Sequence, residues 1–211
     1  MIFALVRHGQ TRWNTEHRLQ GRGDSPLTPA GREQVAGAGR HLAELGGWEV
    51  LVSSPSGRAQ ETAAIVGDAL GLPLSETDEG VMERAYGEAE GLTPDEVAAR
   101  WPSAVEIGRN AEGPVAHVAE TGVPGSESRV DTAKRGARAL DQLAQKYAGR
   151  TVVVTTHGTF IRETVSALTG IRLDHIRNGG IAILDHRADG DLLLSDEQYR
   201  AWRKAHARTE H

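Results

Sequence analysis

The chain alternates short unbroken apolar runs with longer segments in which apolar residues recur every three or four positions, the pattern of buried strands joined by amphipathic helices. Residues 3–6, FALV, run straight into Arg7, His8 and Gly9 with no polar alternation, which predicts a strand covered on both faces of a parallel sheet. Residues 48–52 and 151–156 repeat the pattern. The first run leads into Ser53, Ser54, Pro55, Ser56, Gly57 and Arg58, and the second delivers His157 and Gly158.

Helices are predicted between these strands. Thr28 as N-cap and Pro29 at the first helical position open one that runs to about Leu45, where Gly46 and Gly47 stop it. Ser54 and Pro55 spell a second start, which puts Arg58 in the first turn of a helix reaching Leu70. Thr93, Pro94 and Glu96 form a capping box for a short helix to about Arg100, broken by Trp101 and Pro102. From Ser126, a long helix to Gly149 carries Val130, Ala133, Ala137, Leu140, Ala144 and Tyr147 as one buried stripe. Thr159 starts another helix to about Leu168. Residues 181–184 and 192–194 flank Asp189-Gly190, a turn dipeptide suited to a hairpin.

Other stretches show neither period. Residues 10–24 read as a long polar loop, residues 75–91 as acidic and irregular, and residues 103–125 as short helix and loop, the natural lid. A loop of the first kind is uncommon in a compact domain unless it serves a site. The resulting fold class is α/β: a three-layer α/β/α sandwich with a mostly parallel central sheet. It forms one domain over residues 1–211, with a lid-like insertion at about 75–125 and a polar tail at about 198–211 that is a terminal helix or disordered.

Composition narrows the function. The chain has 211 residues, 25% charged and 38% hydrophobic, with formal net charge −5, an ordinary globular balance that argues against a nucleic-acid partner. It has no cysteine, so disulfides, thiolate zinc sites and a cysteine nucleophile are excluded. The apolar start is too short for a secretory signal and no run approaches the roughly 20 residues of a membrane span, so the expected location is the cytoplasm.

The candidate chemistry lies at the strand ends. In an open α/β sheet, ligands bind beyond the carboxyl ends of the strands, where Arg7 with His8, Arg58 and His157 all fall. A neutral imidazole is a competent nucleophile towards phosphorus, and a neighbouring guanidinium both disfavours its protonation and offers a planar fork to phosphate oxygens. Arg58 in a helix's first turn adds a full charge where free N–H groups already favour an anion. Asn14, Gln20 and Gly21 supply further donors. An acid for the leaving oxygen is expected in the 75–91 segment, where Asp78, Glu83, Glu88 and Glu90 are equal candidates on residue type alone.

Residues 5–20, 53–62 and 155–159, in this order and spacing, resemble the histidine phosphatase superfamily, which includes cofactor-dependent phosphoglycerate mutases and small broad-specificity phosphatases. The resemblance implies that His8 is the nucleophile that becomes phosphohistidine. It implies that Arg7, Arg58 and His157 form the pocket around the transferring group, and that Asn14, Gln20, Gly21, Gly158 and Thr159 line or approach it. Glu83, within the run from Met82 to Gly87 that also supplies Tyr86, matches the proton donor. The implied activity is metal-independent hydrolysis of a small phosphorylated metabolite by a phosphatase of the histidine acid phosphatase type (EC 3.1.3.-), without cofactor. A mutase (EC 5.4.2.-) using 2,3-bisphosphoglycerate is the alternative, favoured by the run from Glu83 to Gly87. Against it, the lid lacks the mutases' longer insertion and paired arginines: Pro102 follows Trp101, Arg109 stands alone, and Glu106, Glu112 and Glu120 would repel a highly charged substrate. A non-catalytic phosphate-binding module is a third possibility. Trp101, Val105, Ile107 and His117 fall where a lid would select the leaving group. A homodimer is expected only on general grounds.

Overall fold

The computed structural model describes residues 1–110, 113–118, 122–173 and 175–206, the backbone alone for 105–110 and 113–118. In chain order, the first elements are β1 (Ile2–Arg7), α1 (Arg12–Thr15), α2 (Pro29–Leu45), β2 (Val50–Ser53), α3 (Gly57–Leu70) and β3 (Glu76–Thr77). Next come α4 (Pro94–Arg100), β4 (Val105–Asn110), β5 (Gly113–Val118) and α5 (Arg129–Lys146). The chain continues with β6 (Val152–Thr156), α6 (Gly158–Thr169), β7 (Ile181–Asp185), β8 (Leu192–Leu194) and α7 (Asp196–Ala205). The six-stranded sheet has the order β3-β2-β6-β1-β7-β8. The first four strands are parallel, while β7 is antiparallel to both β1 and β8.

The sheet is covered on both faces, as the unbroken apolar strands require. Along β1, Phe3 and Leu5 join a core with Leu140 and Leu143 of α5 and Phe160 and Ile161 of α6. Ile2, Ala4 and Val6 join the opposite core, with Leu42 of α2, Val66 of α3 and Tyr199 of α7. A mixed α/β fold with a mostly parallel central sheet flanked by helices is therefore what the pattern predicted; the sixth strand, β3, falls in the segment read as irregular. Among the described residues, no helix is long and apolar enough to cross a membrane.

Register places the site. Arg7 lies opposite Thr156 and Ser53 opposite Thr155, so the residues that follow β1, β2 and β6 emerge side by side at one sheet edge. Gly9 lets the chain leave β1 against the first turn of α2, where a Cβ would collide with the carbonyl of Gly31.

Several expectations need correction. Residues 105–110 and 113–118 form an antiparallel hairpin rather than helix and loop; Gly108, Gly113 and Pro114 dilute the strand signal, and an isolated two-stranded ribbon tolerates such residues at its edges. The loop at 10–24 contains the short α1, capped by Thr11. Helices α3 and α5 start after Ser56 and Ser128, two residues later than expected in each case. Val130 is exposed, and the buried stripe of α5 is Thr132, Gly136, Ala139, Leu140 and Leu143. Small and hydroxyl-bearing residues suit close packing of α5 on α6 but carry little hydrophobic signal. The tail, where described, is a helix capped by Ser195 and docked by Tyr199, which stacks on Trp48 at 4.8 Å between ring centroids. Glu112, Glu120 and residues 207–211 lie outside the described residues.

Candidate active site

His8 follows β1 directly, buried, with its backbone N–H on the Thr156 carbonyl at 2.9 Å. Its Nδ1 is 2.7 Å from the Gly9 carbonyl. A carbonyl only accepts, so Nδ1 carries the proton and Nε2 keeps its lone pair. Burial, with the charges of Arg58 and Arg7, pushes the imidazole well below its ordinary pKa, against a small opposing effect of the Gly9 bond. The result is a neutral ring with one free basic nitrogen.

Two guanidinium groups flank it. Arg7 donates from Nη1 to the Ile176 carbonyl at 2.5 Å. Arg58, 1% exposed, donates from Nη1 to the Gly23 carbonyl at 2.6 Å and to Asp24 at 3.0 Å, and from Nη2 to the Gly21 carbonyl at 2.7 Å. Burial lowers the pKa of both, with the charge of Glu83 the largest opposing effect and that of Asp24 adding to it at Arg58. In each, a buried Nε–H has no hydrogen-bond partner among the described residues. A buried cationic donor without a partner is expensive unless an anion takes it, so the two arginines are arranged for an oxyanion.

His157 is the N-cap of α6, its ring centroid 5.4 Å from that of His8. Its Nδ1 is 3.2 Å from Arg58 Nη2 and its Nε2 2.8 Å from Ser54 Oγ. Arginine cannot accept, so Nδ1 is the acceptor and Nε2–H donates to Ser54. Burial and the Arg58 charge push its pKa well below the ordinary value. The resemblance implies a member of the pocket around the transferring group; the structure shows a neutral ring with both nitrogens engaged, one of them accepting from Arg58.

Glu83 is resolved from its neighbours by position. It is buried against the start of α6, with Oε1 accepting from the N–H groups of Arg84 and Phe160 at 2.9 Å each and Oε2 from Thr159 N–H at 3.1 Å. The other carboxylates have different tasks. Glu88 is exposed, Asp78 caps a turn through Gly80 N–H, and Glu90 accepts from the N–H groups of Arg22, Gly23 and Tyr86. Glu90 thereby holds the loop whose carbonyls anchor Arg58, and it packs where a Cβ on Gly21 (φ 53°) would stand.

The remaining expected residues surround this group. Asn14 Oδ1 accepts from Thr11 N–H and Oγ–H, and Gln20 Oε1 accepts from Thr11 Oγ–H. Both amide oxygens are thus turned to Thr11, and the amide nitrogens away from it. Tyr86 OH meets Thr159 Oγ1 at 2.8 Å, and burial followed by the Glu83 charge raises its pKa, so it stays a phenol. Gly158 lies so close that a Cβ there would be 3.1 Å from Arg7 Nε. A cavity of about 410 Å³, lined by Leu173, Ile181, Ile183 and Leu194, runs along β7 and meets this group at Ile176 and Gly179. Its lining is mostly aliphatic, and the two polar side chains in it, His41 and Asp196, pair with each other at 3.0 Å, so we place the chemistry at the histidine and arginine cluster.

The model of the histidine phosphatase superfamily (branch 1) matches residues 3–195. The chain belongs to this superfamily. Its members are phosphatases or mutases. Relatives include an uncharacterized phosphatase, PhoE, of Bacillus subtilis, 31% identical over 79% of this chain and 77% of that protein. A 2,3-bisphosphoglycerate-dependent phosphoglycerate mutase of Methylobacterium is 34% identical over 83% of this chain and 84% of its own length. Among solved structures, a mycobacterial glucosyl-3-phosphoglycerate phosphatase in complex with vanadate aligns with TM-score 0.76 at 26% identity, covering 92% of this chain and 97% of that one.

For this superfamily member, sequence reasoning missed the supporting residues. Thr11 is fully buried and orients two amides; Asn178 donates to the His8 carbonyl at 3.1 Å and to Asn14 at 3.3 Å. Asn178-Gly179-Gly180 signals a turn and nothing more. Ser54, Glu127 and Arg135 were equally silent.

The two lowered histidine pKa values make stability depend on pH. In the unfolded chain each imidazole takes a proton near pH 6.5, while in the fold both stay neutral, so stability falls as pH drops below about 6.5, by at most about 1.4 kcal/mol per pH unit for each. Urea unfolding at pH 7.5, 6.5 and 5.5 is expected to show this fall, with a shallower slope in His8→Asn. Equal slopes in both proteins would contradict a neutral His8.

Proposed function

We propose that the protein is a metal-independent phosphomonoester hydrolase that acts through a phosphohistidine on small phosphorylated metabolites. The observation that carries this reading is the unprotonated Nε2 of His8 in a ring acted on by the charges of Arg58 and Arg7, whose Nε–H donors lack partners among the described residues. In the first step, the Nε2 lone pair forms a bond to phosphorus and the bond to the leaving oxygen breaks, that oxygen taking a proton from Glu83. The proton belongs on Oε2, since Oε1 already accepts two N–H groups and Oε2 only one. In the second, water attacks phosphorus, gives its proton to Glu83, and the P–N bond electrons return to Nε2. Arg7 and Arg58 stabilise the charge that develops on the phosphoryl oxygens.

Relatives named as phosphatases, one solved with vanadate, support hydrolysis. Mutases also figure among the relatives, and a mutase uses the same first step. Purified protein treated with chelator is expected to release phosphate from an aryl phosphate at an unchanged rate. Restoration of activity only by added magnesium or zinc would refute the mechanism. Assay of phosphoglycerate interconversion with and without 2,3-bisphosphoglycerate separates the two readings, and stimulation by the bisphosphate would establish the mutase.

A further inference from the structure

Glu83 sits in a segment with little regular structure of its own, between the turn at Glu79–Val81 and that at Gly87–Ala89. What fixes it comes from α5. Arg135 donates from Nη1 to the carbonyls of Gly80 at 2.8 Å and Met82 at 2.9 Å, and from Nη2 to the carbonyl of Glu83 itself at 3.3 Å. The same guanidinium holds Glu127 in a bidentate pair, Nε to Oε1 at 2.9 Å and Nη2 to Oε2 at 2.8 Å.

Glu127 closes the clamp from the other side of Glu83. Its Oε2 accepts from Ala85 N–H at 3.3 Å, its backbone N–H donates to the Ala85 carbonyl at 2.9 Å, and its carbonyl accepts from Arg84 Nε at 2.6 Å. The backbone is thus gripped at residue 83 and on both sides of it. Arg135 also lies 5.9 Å from the Phe160 ring centroid, and Phe160 N–H is one of the donors to the Glu83 carboxylate. Among the described residues, the one hydrogen bond of Arg135 to a group placed around the phosphoryl site is to the Glu83 carbonyl, although its charge also acts on His157. Nearby buried carbonyls need a donor in any fold, but one planar fork reaching three carbonyls of one short segment and a carboxylate beside it does more than satisfy them.

We propose that Arg135, braced by Glu127, is a positioning residue that sets the proton-transfer geometry of Glu83. The proposal rests on the reading of Glu83 as the proton donor. It predicts a loss that depends on how badly the leaving oxygen needs a proton. An alkyl alkoxide leaves poorly without one, whereas an aryl oxide with an acidic parent phenol leaves without help.

The test compares kcat/KM, which reports transfer to the enzyme, for 4-nitrophenyl phosphate and for a simple alkyl phosphate. In Arg135→Lys and Arg135→Gln, the ratio of aryl to alkyl kcat/KM is expected to rise about 10-fold or more over the wild-type ratio, and further in Glu83→Gln. Glu127→Gln, which keeps its backbone contacts, gives a smaller rise in the same direction and serves if the Arg135 variants do not fold. A rise in Glu83→Gln with an unchanged ratio in the Arg135 and Glu127 variants would overturn the positioning role alone. An unchanged ratio in Glu83→Gln would overturn the proton-donor reading and the proposal with it.

Discussion

Exchange of His8 for alanine is expected to lower kcat/KM for every phosphomonoester by roughly 10³-fold or more, with the fold preserved. The size follows from chemistry. Arg7, Arg58 and Glu83 would remain to bind and protonate, but neither guanidinium has a lone pair to give, and the other nearby imidazole, His157, is committed at both nitrogens to Arg58 and Ser54. Water attack in its place would lack the covalent intermediate that divides the reaction. The fold should survive because, among the described residues, the His8 side chain hydrogen-bonds to its own neighbour Gly9 and not across the core. Circular dichroism and a phosphate-release assay check both halves, and residual activity within tenfold of wild type would show that another group attacks phosphorus.

Loss of Arg58 should damage stability and turnover together. Its side chain is inaccessible and joins the carbonyls of Gly21 and Gly23, Asp24 and His157. In Arg58→Met these acceptors lose their donor, at a cost of about 3–5 kcal/mol, the range for breaking a buried ionic network from one side. Little of this comes from Asp24, whose carboxylate is 44% exposed and largely screened by water. The phosphoryl group loses one of two charged donors as well, worth about 10²-fold in kcat. Arg58→Lys restores charge without the fork and is expected to recover part of the activity and little of the stability. Urea unfolding beside steady-state kinetics measures both, and a stability loss under about 1 kcal/mol would contradict the role of Arg58 as the tie between the 20–24 loop and the sheet.

Much of this arrangement is legible in the amino-acid sequence, for a physical reason. Buried parallel strands have to be apolar throughout, so Arg7-His8 and His157 are marked as strand-end residues by the abrupt change from FALV and VVVTT. The helix starts at Thr28 and Thr93 are equally plain, because hydroxyl caps followed by proline have few other uses. Other features leave no such trace. Glu83 is distinguished from Glu88 and Glu90 only by tertiary contact with the start of α6, and residue type alone cannot choose among them. Thr11, Asn178 and Arg135 act by fixing other side chains or backbone, a task many polar residues perform. The hairpin of β4 and β5 is hidden because its strands carry glycine and proline and belong to no large sheet. Resemblance to a family suggests the role of Glu83; the geometry sets it apart from the other acidic residues by burying its carboxylate against the start of α6.

The most direct measurement is mass-spectrometric mapping of the protein quenched in alkali during turnover of a phosphomonoester, conditions under which a phosphoramidate bond persists. A neutral imidazole caged by two cations predicts one phosphoryl group on His8, absent from His8→Ala and accumulating when the second step is slowed in Glu83→Gln. A phosphoryl group on any other residue, or none at all while substrate is being consumed, would contradict it.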